Sequence, residues 1–76
     1  MTLKQGANQK LYRIQEIQLE LSIKRRLQAL GLTRGTIVRV INNDRKGAMT
    51  VTFRGTRFAL GRKITEHISV EGIVDE

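Results

Sequence analysis

Residue types that do chemistry are scarce in this chain. It has one histidine, His67, and no cysteine. His67 stands beside Glu66 and four residues before Glu71, so an imidazole and two carboxylates could meet a cation there. A transition-metal site needs a second imidazole or a thiolate, because several strong donors must converge at fixed distances. The sequence offers neither, and the plainer reading of His67 is a surface or half-buried imidazole. No metal centre and no cofactor are expected. Thr50, Thr52 and Thr56 fall in strand-like text with no histidine near them in sequence, which leaves no activated nucleophile. Gly31, Gly35, Gly47, Gly55 and Gly61 are scattered singly at turns and spell neither a phosphate loop nor a dinucleotide fingerprint. The chain is expected to bind, not to catalyse.

Charge is the second chemical feature. The 76 residues carry 14 Lys and Arg against 7 acids, a net +7. All fourteen cations lie between Lys4 and Lys63, where Glu16, Glu20 and Asp44 are the only acids, so that stretch is net +11. From Ile64 onward there are four acids (Glu66, Glu71, Asp75, Glu76) and no Lys or Arg. This asymmetry points to an anionic partner: nucleic acid, lipid headgroups or an acidic protein face. A solubilising shell reads equally well from charge alone. Barrels that hold single strands add stacking aromatics to a basic groove. Tyr12, Phe53 and Phe58 are the only aromatics here, and both Phe sit in the core register. Nucleic acid is therefore not the expected partner.

The elements that must position these groups fit one domain, residues 1–76. A chain this short buries roughly 60% of its unfolded surface, and with no cysteine its stability rests on packing by Leu, Ile and Val. Thiol-free text suits a reducing cytosol. Residues 1–10 hold no apolar run of signal-peptide length. Nowhere does an apolar stretch reach the roughly 20 residues of a spanning helix. Neither secretion by that route nor membrane insertion is expected.

Leu11 to Leu21 reads two ways. Tyr12 and Ile14 alternate, then Ile17, Leu19 and Leu21 alternate in the opposite phase, the mark of a strand with a bulge near Gln15-Glu16. Ile14, Ile17 and Leu21 also fit helical spacing. Ser22 to Leu30 reads as a helix, with Ser22 as N-cap. Ile23, Leu27 and Leu30 form an apolar stripe, and Gly31 sits where a left-handed residue ends the helix. Lys24, Arg25 and Arg26 then crowd its first turn, against the positive end of the macrodipole, which makes them contact candidates. Thr33-Arg34-Gly35 reads as a turn. Thr36 to Asn42 is β-branched, with Val38 and Val40 on one face. Asn42 to Gly47 is a polar loop. Met49, Val51 and Phe53 alternate as a half-buried strand, Gly55-Thr56 suits a two-residue hairpin, and Phe58 and Leu60 continue the return strand. Gly61 to His67 reads as a helical turn and Ile68 to Val70 as a closing strand. About five short strands and one helix suit a mostly β, SH3-like small barrel, because curling limits open sheet edges.

The run Arg26-Leu27-Gln28-Ala29-Leu30-Gly31-Leu32-Thr33-Arg34-Gly35-Thr36-Ile37-Val38-Arg39-Val40 resembles the RLxxLGLxxGxxVxV signature of FeoA domains. Arg54-Gly55, Phe58-Ala59-Leu60 and Ile68-Ser69-Val70 continue the likeness over about residues 11–71. The resemblance implies an SH3-like barrel with an inserted helix, which makes Leu11 to Leu21 a strand. It also implies a cytoplasmic accessory protein of bacterial ferrous iron transport, bound to an FeoB-type permease that carries a GTP-hydrolysing domain. Related domains close metal-dependent repressors, where they make protein and peptide contacts. The loop Asn42 to Ala48 departs from the Pro-containing text common in the family. The expected partner-binding residues are Arg25, Arg26, Leu27, Leu30 and Leu32, arginines rimming a patch of leucines.

Overall fold

The computed structural model describes residues 1–44 and 46–74. A 3-10 turn at Leu3–Gln5 comes first. It is followed by β1 (Leu11–Ile17), α1 (Leu21–Ala29), β2 (Ile37–Asn43), β3 (Met49–Phe53), β4 (Thr56–Leu60), the single-turn α2 (Arg62–Thr65) and β5 (Ile68–Ile73). The strands form one antiparallel sheet in the order β4-β3-β2-β1-β5, with β1 pairing both β2 and β5. This is the mostly β, SH3-like small barrel with one inserted helix that the residue pattern predicts. No helix among the described residues is long and apolar enough to cross a membrane.

Alternation explains the core. Val38, Val40, Met49, Val51, Phe53, Leu60, Ile68 and Val70 point inward from their strands and are buried, as a two-residue period requires. Phe53 and Phe58 stack with ring centroids 4.4 Å apart, a geometry worth roughly 0.5–1.5 kcal/mol beyond its buried area. The phase switch in β1 is a bulge: the β1–β5 register slips between Ile14 and Glu16. Tyr12 and Ile14 face the core before it, and Ile17 faces the core after it.

Several boundaries differ from the expectation. The first strand ends at Ile17, not Leu21, and the half-buried Leu19 packs on the core from the connecting segment. The helix starts one residue earlier than predicted, with Glu20 at the N-cap position, and Ser22 is not its cap. The Ser22 hydroxyl instead donates to Glu20 Oε1 at 2.8 Å. That shift leaves Lys24 at the end of the first turn and moves Arg25 and Arg26 beyond it, and Arg26 falls in the last turn, where a cation suits the dipole. The hairpin between β3 and β4 turns on Arg54-Gly55, not Gly55-Thr56. Arg54 has φ 55° and Gly55 φ 75°, and Phe53 pairs Thr56, the type I′ geometry that matches strand twist. The closing strand extends to Ile73.

Residues 1–10 gave no periodic signal, yet they strap the barrel. Leu3 is fully buried. Thr2 bridges Ser69, and the Val70 N–H donates to the Met1 carbonyl at 2.8 Å, so the strap covers part of the β5 edge. Ala7 N–H donates to the Tyr12 hydroxyl at 2.7 Å, and Asn43 Nδ2 donates to the carbonyls of Lys4 and Gly6 at 2.8 and 2.7 Å. Gly6 is tightly enclosed: a Cβ there would stand 3.0 Å from Leu3 O and from Val40 Cγ2, so those neighbours would have to give way by a few tenths of an ångström.

Candidate partner-binding site

The predicted site centres on α1, and its C-terminal end is closed by backbone geometry. Gly31 has φ 98°. Its N–H donates to the Gln28 carbonyl at 2.9 Å, while Leu32 N–H donates to the Leu27 carbonyl at 2.9 Å. That bond pair is a Schellman motif, which brings the flanking apolar residues together. Leu27 and Leu32 are accordingly both buried, at 4% and 0% exposure. They carry the surface from beneath and offer it no area. Leu30 behaves differently. Predicted on the buried stripe with Ile23 and Leu27, it is 47% exposed, because the helix ends at Ala29 and Leu30 is its C-cap.

Arg25 and Arg26 are exposed. One turn apart on α1, Arg26 and Leu30 share a flank, and Leu21 and Arg25 share the outward crest. Leu21 is 58% exposed. The solvent side of α1 thus presents two leucines and two arginines. Arg54 joins them from the hairpin: a Cβ built on Gly31 would stand 2.5 Å from Arg54 Cδ and 2.7 Å from its Nη1. The arginine stem therefore lies across the helix terminus.

Sequence reasoning brought Arg25, Arg26 and Leu30 to this surface and missed Leu21 and Arg54. Leu21 was hidden by reading Ser22 as the cap. Arg54-Gly55 carried a signal, since Gly in the second position of a two-residue turn marks a type I′ hairpin.

On the other flank of α1, Lys24 and Gln28 face a groove of about 610 Å³, lined also by Gln15, Glu16, Ile17, Thr33, Arg34 and Ser69. His67 stands apart from both surfaces. It is exposed, its Nε2 lies 3.6 Å from Glu66 Oε1, and its carbonyl accepts the Gln18 N–H at 2.9 Å. Among the described residues no three of His, Cys, Asp and Glu gather to hold a metal ion. The structure does not bring Glu71 to His67: Glu71 pairs with Arg13 at 2.9 Å, across β1 and β5.

Comparison with known proteins follows the same lines. The model of the family described as "FeoA domain" matches residues 1–72. A solved structure named as an iron uptake regulatory protein (FeoA) superposes with a TM-score of 0.88 at 20% identity, covering 96% of this chain and 97% of that one. The FeoA protein from Chlorobium tepidum gives 0.89 at 27% identity, over 100% and 74% of the two chains. A FeoA-like protein from Clostridium acetobutylicum gives 0.83 at 18%, over 100% and 90%. No curated protein matches the chain.

Proposed function

The chain belongs to the FeoA family, which is associated with ferrous iron transport, and on that premise we propose that it is a cytoplasmic accessory protein that binds an FeoB-type, GTP-hydrolysing iron permease. It helps assemble the permease or modulates it, and it has no catalytic step of its own. The observation that carries this reading is the family match over residues 1–72. The solvent side of α1 supports it: Arg25 and Arg26 are exposed, beside Leu21 and Leu30 at 58% and 47% exposure. Arginine beside aliphatic area is the composition of a protein interface, since the guanidinium makes forked hydrogen bonds while its stem buries apolar surface.

Arg25, Arg26 and Leu30 are the proposed contacts, with Leu21 added. Leu27 and Leu32 act beneath them by fixing the helix end. The nucleic-acid alternative finds few stacking platforms here, because Tyr12 and Phe53 are buried and Phe58 is stacked on Phe53. The metal-sensor alternative rests on His67, whose described surroundings supply one carboxylate, Glu66.

The test is association. The tagged chain is expected to retain the detergent-solubilised cognate permease, or its isolated cytoplasmic domain, in a pulldown at physiological salt. Absence of retention for both forms of the permease would overturn the reading.

A further inference from the structure

The outer face of the sheet carries a pattern that the permease reading does not use. An antiparallel sheet with one face on the core ordinarily shows polar residues on the other. Here β2, the middle strand of the five, has aliphatic residues on both sides. Val38 and Val40 are buried, while Ile37 on the opposite side is 46% exposed. The strand pairing extends that outer side across the sheet. Ile73, Leu11, Arg39, Thr52 and Arg57 are successive partners from β5 to β4. Glu71, Arg13 and Ile37 form the adjacent row. In these two rows three aliphatics and three arginines stand with one acid, Glu71.

The two chemistries are interleaved. Arg13 stands directly opposite Ile37, and Arg39 opposite Leu11, so two of the guanidinium groups are carried on stems beside aliphatic area. Leu11, Arg39 and Ile73 are half-buried, and Arg13 and Arg57 are exposed. Arg13 bonds Glu71 at 2.9 Å with both side chains about half in solvent, a pair weak enough for a phosphate to compete with. Arg39 donates to the Gln9 carbonyl at 3.1 Å. The sheet curls around its core, so the outer side of its middle strand is convex. The grooves beside α1 and beside the N-terminal turn are lined by residues outside these two rows.

We propose that this face is a peripheral docking surface for an anionic lipid bilayer. Ile37, Leu11 and Ile73 meet the boundary between headgroups and acyl chains, and Arg13, Arg39 and Arg57 hold lipid phosphates. With so few side chains engaged, the docking is reversible. Charge selects an anionic partner: three arginines against one glutamate make the two rows net +2, and residues 4–63 are net +11. Among anionic partners, a nucleic acid strand asks for stacking aromatics, and these rows hold none. A folded acidic protein asks for aromatic anchors and pockets, and this face is convex. A fluid headgroup layer moulds to a convex face and takes up aliphatic side chains without a pocket. The surface uses none of Leu21, Arg25, Arg26 and Leu30, and it stands or falls independently of the permease.

The test is flotation of the full chain with lipid vesicles, with no permease present. Vesicles of equal parts phosphatidylglycerol and phosphatidylcholine are expected to carry the chain upward at low salt and to release it as salt rises. Phosphatidylcholine alone is expected to leave it behind. Each cation near an anionic leaflet strengthens binding roughly fivefold, so Arg13→Gln/Arg57→Gln should weaken partition at least tenfold. Arg62→Gln/Lys63→Gln makes the same change in net charge on α2, which packs on the N-terminal turn, and should weaken it less than about threefold. Ile37→Ser keeps the charge and should weaken partition about threefold or more, with a Tm for each variant to separate loss of docking from loss of fold. Equal loss in the two charge variants would reduce the effect to net charge and overturn the face, as would an Ile37→Ser chain that binds like the parent. Equal binding to neutral vesicles, or binding to neither, would overturn the anionic bilayer as partner. Soluble polyglutamate or single-stranded RNA bound as tightly as the vesicles, at equal concentration of charge, would make this an acidic-protein or nucleic-acid surface and overturn the lipid assignment.

Discussion

The two ends of α1 are built on different principles. At the C-terminal end the chain conformation is dictated: Gly31 at φ 98°, the paired bonds from Gly31 and Leu32, two buried leucines and the Arg54 stem laid across the top. At the N-terminal end Glu20 makes no side-chain bond to the helix backbone, and the first helical residue, Leu21, is mostly in solvent. One end is anchored and the other is presented. A small barrel without disulfides must place its rigidity somewhere, and here it lies where the helix meets the core. The presented end and outward crest are left free to hold residues that local stability does not ask for.

The largest expected effect therefore falls beneath the anchored end. Leu32→Ala removes a fully buried side chain and should cost about 2–5 kcal/mol. In a domain this size each kcal/mol is worth roughly 4–8 °C in Tm, so thermal unfolding followed by circular dichroism will show it plainly. A Tm within a few degrees of the parent would mean that this end is not the anchor.

Gly31→Ala comes next. The residue would hold a positive φ and push its Cβ into the Arg54 stem, 2.5 Å from Cδ, at about 1–3 kcal/mol. In the Arg54→Ala background the clash disappears and only the φ term remains. Denaturant unfolding of the two single variants and the double variant separates these parts, and additive losses would show that Arg54 does not lie over Gly31.

At the presented end the sign reverses. Glu20→Asp shortens the side chain to one that caps first-turn N–H groups well and keeps the negative charge. It should raise stability by about 0.5–1 kcal/mol, read as a higher urea midpoint. A loss would show that the Ser22 to Glu20 hydrogen bond matters more than the open cap. Smallest of all is the exposed pair Arg13–Glu71, half in solvent on both sides. A double-mutant cycle should return about 0.2–1 kcal/mol, shrinking in high salt.

The anchored end was also the legible one. Gly31 after an i, i+4 leucine stripe announces a helix stop, because only a residue without Cβ takes that φ without strain. The bulge showed as a phase change between Ile14 and Ile17, since one extra residue flips every later side chain to the other face. What stayed hidden depends on contacts distant in sequence or on choices between near-equal local signals. Leu3 sits in polar text with no period, and its burial comes from the strap reaching Ser69, Val70 and Tyr12. Ser22 outranked Glu20 as a cap by propensity alone. The Gly55 signal was read one residue late because Arg54 at positive φ has no composition cue. The groove exists only because β2 parts from β1 after Ile14, and no pattern within either strand encodes that parting.

In the proposed function, the presented side of α1 is the face that meets the permease. The most direct test is the affinity of the permease, held in nanodiscs, for the parent chain and for Arg25→Glu/Arg26→Glu, measured by biolayer interferometry beside a Tm for each. At least tenfold weaker binding is expected, with Tm unchanged within about 3 °C, since exposed substitutions move stability by only about ±0.5 kcal/mol. Equal affinity for the two proteins would contradict it.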